Sequence, residues 1–298
     1  MKWRKGILIY NGNAGQKDLG KALGACVPVL SPHVSELTLM PTQEQGDAED
    51  ICKRVGEHVD VLFILGGDGT VHECINGLAG LASRPIVGIL PGGTCNDFSR
   101  ELNMPQDIEK AAMEMIEGET SLVDVGKVND RYFLNFWGIG LIADTSSNID
   151  SSQKNVLGKV SYFLSALRTA KEAESFSFRL EYNGGVIEDE AVLILAGNGR
   201  FIGTNKLPFQ EIDRSDGLLD IIIVKNSNLA VFKDILFSSE YAEPENRTDR
   251  DLIYVHSDFI RIKTDKQMDA DTDGELYLST PAEITVLPEH LHFICKRE

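Results

Sequence analysis

A continuous apolar run that ends in a glycine-rich turn most constrains the fold of this 298-residue chain. Residues 59–65 (VDVLFIL) pass directly into Gly66, Gly67, Asp68, Gly69 and Thr70. After this turn, apolar residues recur at positions 71, 74, 75 and 78, which is the spacing of one face of an amphipathic helix. A run without polar alternation is typical of a strand covered on both faces. The segment therefore predicts a buried strand, a tight glycine turn and a helix.

Two further apolar runs repeat this arrangement. Residues 6–10 (GILIY) and 86–90 (IVGIL) are followed by the glycine-containing loops 10–15 (YNGNAG) and 90–100 (LPGGTCNDFSR). A second helical pattern covers residues 108–116, with Asp107 as its N-cap and Gly118 as its end. In an open α/β sheet, ligands bind at the carboxyl ends of the parallel strands. We therefore expect the three glycine loops to lie together at one edge of a parallel sheet.

The second half of the chain has the alternating pattern of antiparallel strands. A hairpin is predicted over residues 122–137 with a turn at Asn129–Asp130, and another over 175–187 with a turn at Asn183–Gly184. Helical patterns interrupt the strands at 160–173 and 229–237, and a polar loop follows at 242–251. Further strands are predicted at residues 191–196, 218–224, 258–263, 275–278 and 283–287.

The pattern thus predicts two domains. Residues 1–122 are expected to form a Rossmann-like α/β domain, and residues 123–285 an antiparallel β-sandwich; the family resemblance described below implies that the first binds nucleotide and that a cleft lies between the two. Residues 286–298 are expected to return to the N-terminal domain.

Composition and charge exclude several classes of protein. The net charge is −17, from 29 basic and 46 acidic side chains, which argues against a nucleic-acid partner and favours only local, transient contact with anionic membranes. No run of about 18 apolar residues is present to span a bilayer, and no signal-peptide pattern precedes the first strand, so we expect a cytoplasmic protein. The five cysteines show no C-x-x-C spacing, which argues against a disulfide framework and a zinc site.

The glycine loops differ from the best-known nucleotide motifs. The chain has no G-x-x-x-x-G-K-[ST] sequence, and its first loop lacks the spacing of a dinucleotide fingerprint. Glycine-rich turns at helix N-termini bind phosphate through backbone N–H groups. A carboxylate in such a turn would repel an anion unless Asp68 holds Mg²⁺ or orients a water or a nucleophilic hydroxyl. This combination indicates phosphoryl transfer.

Six segments, in this order, resemble the diacylglycerol kinase catalytic-domain family, particularly its bacterial soluble lipid kinases. They are GGDGTVHECINGL, GILPGGTCNDFSREL, DVGKVNDRYFLNFWGIGLIADT, GNGRFIG, DRSDGLLDIIIV and DADTDGEL. The first is shared with NAD kinases, whereas PGGTCND and the late DGE are more specific to lipid kinases. The resemblance implies an ATP- and Mg²⁺-dependent lipid kinase in phospholipid metabolism. In such a kinase, ATP and lipid meet in the cleft between the N-terminal α/β domain and the C-terminal β-sandwich.

The resemblance also implies a nucleotide site. The first loop reads NGNAG where the family has N-P-x-S-G, so Asn11 and Gly15 match while Gly12 and Ala14 depart from the pattern. Thr94 is expected to face the nucleotide. The residues expected to bind it are Asn11, Gly12, Asn13, Ala14, Gly15, Thr42, Gly66, Gly67, Asp68, Gly69, Thr70, Val71, His72, Glu73, Gly93, Thr94 and Asn96.

Three carboxylates are the candidate catalytic groups. By resemblance Glu275 is the base that takes the proton of the attacking hydroxyl, with Asp68 and Asp97 beside the phosphates or the lipid hydroxyl. The alternative for Glu275 is a surface carboxylate in an acidic turn. The neighbouring Asp269 and Asp271 replace other residue types of the family, and we interpret them as solvated surface rather than as groups that adjust metal affinity.

A second acidic loop is a candidate cation site. Asp213 and Asp216 have the spacing of oxygen ligands for a hard cation. The resemblance implies a structural Mg²⁺ in this loop, with a carbonyl ligand from Leu218. A loop without a metal is the alternative.

The acceptor and the partners are less constrained. Residues 135–142 (NFWGIGLI) and the pattern at 160–167 offer an apolar entrance beside Lys154, Lys159, Arg168 and Lys171, although such a stripe is more often part of a core. A homodimer is expected only by resemblance. Two other functions stay open: an NAD-kinase-like small-molecule kinase, and a nucleotide- or lipid-binding regulator without turnover.

Overall fold

The chain forms two compact units that are described separately below. The computed structural model describes residues 2–12, 16–143, 173–207, 212–225 and 252–297. Unit 1 comprises residues 1–123 and 289–298, and unit 2 comprises residues 124–288. The predicted helices near 160 and 229, the loop at 242–251 and the basic residues Lys154, Lys159, Arg168 and Lys171 lie outside the described residues.

Unit 1 contains a parallel sheet in the order β2-β1-β3-β4. All six residues of β3 are buried, as the continuous apolar run predicts. The strand β2 was not predicted from the pattern: it lies at the edge of this sheet, where half-exposed positions replace an apolar run and Pro41 is tolerated. The strands are β1 Trp3–Asn11, β2 Val34–Thr42, β3 Val61–Gly66 and β4 Ile86–Pro91.

The register of this sheet brings the glycine loops to one edge. Tyr10 of β1 pairs with Leu65 of β3, and Gly66 pairs with Pro91 of β4. Because these strands are parallel, the loops that follow them begin at the same level. The three strands that precede the loops therefore end at one edge of a parallel sheet, as predicted, while residues 13–15 of the first loop lie outside the described residues.

The described residues of unit 1 include five α-helices. The two predicted helices are confirmed as α3 and α5, and the side chain of Asp107 caps α5 by accepting from the N–H of Lys110. None of the helices in the described ranges combines the length and the apolarity that crossing a bilayer requires. The helices are α1 Gln16–Leu30, α2 Asp47–Val55, α3 Asp68–Leu78, α4 Asp97–Glu101 and α5 Ile108–Glu117.

Unit 2 is an antiparallel β-sandwich, which confirms the predicted fold class. One sheet has the order β14-β13-β10-β7-β16-β17, and the other contains β9-β8-β15-β18. The strands from β5 onward are β5 Glu119–Val128, β6 Arg131–Phe133, β7 Phe136–Gly140, β8 Phe176–Tyr182, β9 Gly185–Ala191, β10 Leu193–Gly197, β11 Phe201–Ile202, β12 Asn205–Lys206, β13 Leu219–Val224, β14 Leu252–Ser257, β15 Phe259–Thr264, β16 Asp269–Thr272, β17 Glu275–Ser279 and β18 Ala282–Cys295.

Alternation along the strands builds the core of unit 2. Trp137, Ile194 and Ile221 from the six-stranded sheet share one buried cluster with Leu180 and Ile262 from the opposite sheet. Their chain neighbours in the six-stranded sheet point the other way into a second buried cluster, which includes Phe136, Leu193 and Ile222. Since successive side chains of a strand point to opposite faces, a strand buried on both faces reads as a continuous apolar run.

Candidate active site

The loop predicted to bind phosphate, called the phosphate loop below, joins β3 to α3. Gly66 ends the strand, Gly67 is extended, and the helix begins at Asp68. The first N–H groups of a helix have no partner within the helix, and together with the helix dipole they favour a bound anion. Gly69 at the first turn is exposed. The N-terminus of α3 can therefore bind phosphate.

Close contact between the phosphate loop and the loop after β4 explains why both loops contain glycine where they touch. The N–H of Gly92 donates to the carbonyl of Gly66 over 2.9 Å. A Cβ atom on Gly93 would lie 2.5 Å from the Cα of Gly67, and one on Gly67 would lie 3.0 Å from the Cα of Gly93. Backbone packs on backbone at this point, which leaves no room for a side chain at Gly93.

Asp68 joins the same two loops by its carboxylate. Its Oδ2 accepts from the N–H of Asn96 over 2.9 Å, and its Oδ1 accepts from the N–H of Asp97 over 2.7 Å. A carboxylate that accepts from backbone N–H groups makes strong, charge-assisted bonds. Asp68 thereby holds the start of α4 against the phosphate loop. A metal-binding or catalytic role for Asp68 stays a prediction.

Asn96 adopts the left-handed conformation, with φ 52°, and closes its own loop. Its Oδ1 accepts from the N–H of Gly93, and its Nδ2 donates to the carbonyl of Gly93. Asn96 and Asp97 are both buried, whereas Thr94 of the same loop is exposed. The amide of Asn96 therefore shapes the loop that presents Thr94.

The first glycine loop packs on the end of β2. The N–H of Gly12 donates to the carbonyl of Thr42 over 2.8 Å, a bond that the proline usual in the family could not make. Asn11 pairs with Thr42 in the sheet. A cavity of about 610 Å³ adjoins this contact and is lined by Gly12, Pro41, Gln43, Glu44 and Asp47. Asn13, Ala14 and Gly15 lie outside the described residues.

The remaining predicted nucleotide residues lie on α3. Val71 and His72 are buried, and the Nε2 of His72 lies 3.2 Å from the Nδ2 of Asn76. Glu73 accepts from the N–H of Ala48 at the start of α2. These side chains make contacts within unit 1, and their part in nucleotide binding stays a prediction that rests on the resemblance.

In unit 2, Glu275 follows a two-residue hairpin turn. Thr272 and Glu275 form the pair that closes the hairpin between β16 and β17, with Asp273 and Gly274 as the turn. Glu275 is half-buried. Its role as the base stays a prediction, and the hairpin gives it a defined place at the beginning of a strand.

One interpretation of the acidic residues near Glu275 is wrong. Asp271 is fully buried, and its Oδ1 accepts from the N–H of Gly274 over 2.7 Å, so it is not solvated surface. Asp269 is exposed, in agreement with the interpretation. The pairing of β16 with β17 shifts in register between Ala270 and Asp271, which interrupts the regular alternation, so these two aspartates do not share one environment. The acidic sequence by itself does not reveal such a shift.

The predicted cation loop is closed by hydrogen bonds to its own carboxylates. Asp213 Oδ1 accepts from the N–H and the hydroxyl of Ser215, and Asp216 Oδ1 accepts from the N–H of Leu218. In the described part of the chain, no group of three or more His, Cys, Asp or Glu side chains is arranged to hold a metal ion. A cation here would therefore depend on two carboxylates and backbone oxygen.

Charge in this loop nevertheless fits a cation. Burial raises the pKa of Asp216, and the negative charges of Asp213 and Asp124 raise it further, although Leu218 N–H and His256 act in the opposite direction. Asp124 is a residue that the sequence analysis missed: it is fully buried, and its Oδ2 accepts from the N–H of Gly217 over 2.7 Å. Carboxylates are the ligands that a hard cation prefers, so the negative charge around Asp216 is compatible with a cation, although the three acids do not form a metal-binding group.

Asp220, the third acid of the same segment, has a different environment. It is buried, its Oδ1 accepts from the hydroxyl of Tyr254, and it lies 3.1 Å from the Nδ1 of His256. These contacts tie β13 to β14.

Comparisons with known proteins agree with this description. A family model described as "Diacylglycerol kinase catalytic domain" matches residues 5–128, and one described as "YegS C-terminal NAD kinase beta sandwich-like domain" matches residues 138–295. A relative from Staphylococcus carnosus (strain TM300), named "Putative lipid kinase", is 34% identical over 297 residues, which are 98% of this chain and 97% of the relative.

Solved structures give the same result. A crystal structure named as that of a "putative diacylglycerol kinase" from Bacillus anthracis str. Sterne superposes with a TM-score of 0.91 at 44% identity, over 99% of this chain and 96% of the other. A second structure, named as a diacylglycerol kinase from the same organism, gives a TM-score of 0.89 at 42% identity, over 99% and 98% of the two chains. The chain therefore belongs to the family in which a diacylglycerol kinase catalytic domain precedes a YegS-type β-sandwich.

Proposed function

We propose that this protein is an ATP- and Mg²⁺-dependent lipid kinase that phosphorylates a free hydroxyl of diacylglycerol or of a similar lipid. The observation that carries the proposal is the phosphate loop at the start of α3, packed on the loop that contains Gly93 and held there by Asp68. Backbone N–H groups at a helix N-terminus are suited to the phosphates of a nucleotide. The names of the relatives support a lipid as the acceptor.

The chemistry needs a proton acceptor and charge stabilisation. The lipid hydroxyl oxygen forms a bond to the γ-phosphorus while the bond from that phosphorus to the ADP oxygen breaks, and Glu275 takes the hydroxyl proton. The N–H groups at the start of α3 stabilise the negative charge on the phosphates. A bound Mg²⁺ would neutralise part of the same charge.

A second Mg²⁺ would be held by Asp213, Asp216 and the carbonyl of Leu218. The support for it is the convergence of the Asp213 and Asp124 charges on Asp216. Its role would be to stabilise the loop before β13, because the loop's own carboxylates repel one another without a cation.

The acceptor is expected to be reached at a membrane surface. The net charge of −17 favours brief contact with an anionic bilayer, since the protein as a whole is repelled by it. A long-chain lipid is insoluble in water, so a kinase of this kind has to extract or reach its hydroxyl at the surface.

Transfer of radiolabelled γ-phosphate from ATP tests the function directly. Wild-type protein is incubated with Mg²⁺ and a panel of micellar lipids that includes diacylglycerol, and with NAD in a parallel reaction. We expect label in diacylglycerol, and a fall in kcat of about 10²- to 10⁴-fold in Glu275→Gln because the proton acceptor is lost. Glu283→Gln is the matched control, since Glu283 is an exposed carboxylate that pairs with Arg261.

Three results would contradict the proposal in different ways. Label in NAD and in no lipid would establish the NAD-kinase-like alternative. ATP binding without transfer to any acceptor would favour the regulator. Transfer that persists unchanged in Glu275→Gln would leave a lipid kinase with a different base.

A further inference from the structure

We propose that Asp273 is a positioning residue for Glu275: its carboxylate binds three consecutive backbone N–H groups and thereby sets the place of the base. The inference rests on the proposed function, in which Glu275 takes the proton of the acceptor. Within the DGE sequence, the aspartate would then act on the backbone and the glutamate on the substrate.

The tight turn between β16 and β17 couples the position of Glu275 to that of Asp273. Asp273 and Gly274 have φ angles of 52° and 90°, the left-handed values of a two-residue turn that matches the twist of a hairpin. Glu275 follows at once and closes the hairpin opposite Thr272. With a single residue between Asp273 and Glu275, any shift of Asp273 is passed to the backbone of Glu275.

The carboxylate of Asp273 is almost completely engaged by one short segment. Its Oδ2 accepts from the N–H of Leu134 over 2.8 Å, and its Oδ1 accepts from the N–H groups of Asn135 and Phe136 over 2.9 Å each. Its own N–H donates to the carbonyl of Phe136 over 3.1 Å. The side chain is 7% exposed, so these bonds are shielded from water.

This arrangement requires an anion with two acceptor oxygens. An asparagine has one carbonyl oxygen, and its NH₂ group would face an N–H donor of the segment instead of accepting from it. Bonds to an ionised acceptor are also stronger than bonds to a neutral one. The carboxylate therefore cannot be replaced by its isosteric amide without a shift of the turn or a loss of bonds.

A second bond limits the freedom of the turn within the hairpin. Asp271 Oδ1 accepts from the N–H of Gly274, so the turn is fixed to β16 as well as to the 134–136 segment. Burial raises the pKa of Tyr277 to about 12, and the negative charges of Asp273 and Glu275 add to the rise. The side chains of Asp273 and Glu275 therefore lie near that of Tyr277. The hairpin thus has two independent restraints, one from each buried aspartate.

Steady-state kinetics of Asp273→Asn test the proposal. A displacement of about 1 Å can cost about 10²-fold in rate, so we expect kcat to fall by about that factor. KM for ATP should change by less than about twofold, because the phosphate loop belongs to unit 1. The kcat values are divided by the number of sites that bind an ATP analogue, so that a loss of folded protein does not count as a loss of rate.

Asp269→Asn is the matched control, since it removes the same charge from the same hairpin at an exposed position, and wild-type kcat is expected. Wild-type kcat in Asp273→Asn, with Glu275→Gln inactive, overturns the positioning role and leaves the proposed base intact. Wild-type kcat in Glu275→Gln overturns both.

A third variant covers the case in which Asp273→Asn does not fold. Asp273→Glu keeps the anion and both acceptor oxygens but adds one methylene, so the hairpin must shift to retain the bonds. We expect folded protein with unchanged binding of the ATP analogue and reduced kcat. Wild-type kcat in Asp273→Glu would overturn the proposal.

Discussion

At the scale of single residues, Asp68 shows how a carboxylate can belong to a loop that we propose binds phosphate. Its two oxygens accept from the N–H groups of Asn96 and Asp97, so its charge is directed to the start of α4. The glycines beside it are equally specific, since Gly67 and Gly93 touch through their backbones. The geometry of the phosphate loop thus depends on its contact with a second loop.

Gly93→Ala should separate these two loops. The new Cβ would lie 2.5 Å from the Cα of Gly67, and a backbone atom cannot move aside as a flexible side chain can. We expect a loss of about 1–3 kcal/mol in the free energy of unfolding and weaker ATP binding, measured by urea denaturation and calorimetry. Gly24→Ala in α1 is the control, because a Cβ added there would have no atom within 4 Å apart from its chain neighbours and the backbone of its own helix, and it should stabilise the protein by about 0.5–1 kcal/mol. Unchanged ATP affinity in Gly93→Ala would show that the loop contact does not shape the nucleotide site.

At the scale of elements, local sequence signals account for several boundaries. The helix α5 begins after Asp107, whose side chain accepts from the N–H of Lys110 over 3.0 Å, and ends before Gly118. The hairpin of β8 and β9 turns at Asn183 and Gly184 as predicted. Helix caps and hairpin turns depend on interactions within a few residues, so these boundaries can be predicted without the rest of the fold.

Asp107→Ala should weaken α5 without affecting the site. The variant leaves the N–H of Lys110 without its capping acceptor, and we expect a loss of about 1 kcal/mol in the free energy of unfolding by urea denaturation. Asp107→Ser keeps a capping oxygen and should remain close to wild type. Equal stability of the alanine and serine variants would mean that the cap contributes nothing.

At the scale of the whole molecule, an excess of acidic groups makes stability depend on pH and on cations. The net charge is −17, and in unit 2 the pKa of Asp216 is raised by burial and by the charges of Asp213 and Asp124. A carboxyl group with a raised pKa in the folded state favours folding when it is protonated. That contribution is complete below the unfolded pKa of about 3.9 and is lost as the pH rises through the folded value.

Mg²⁺ should therefore stabilise the protein at neutral pH. A cation in the loop offsets the repulsion among ionised carboxylates, so we expect the Tm of wild type to rise with Mg²⁺ at pH 7. Near pH 4 the rise should be smaller because protons compete for Asp216. The Tm of Asp216→Asn should respond little to Mg²⁺ at either pH, with Asp265→Asn as the control for an exposed acid of the same unit. An equal response of wild type and Asp216→Asn would place the stabilising cation elsewhere.

The predictions from sequence succeeded where the physical cause is local or periodic. The apolar runs identified β1, β3 and β4, and the glycine turns after them lie at one sheet edge. The edge strand β2 was missed because half-exposed positions interrupt its pattern. The burial of Asp271 was misjudged because an acidic sequence looks solvated until the neighbours of its strand are known.

The sequence by itself determined the fold class, the glycine turns and the acidic segments that carry the candidate chemistry, because periodicity and turn chemistry act over a few residues. Only the tertiary structure decided what the aspartates bind. The carboxylate of Asp68 accepts from the N–H of Asn96, which is 28 residues away in the sequence, and that of Asp273 accepts from the N–H of Leu134, which is 139 residues away. A carboxylate accepts from whichever N–H groups the fold brings to it, and no local pattern records partners that are so distant in the chain.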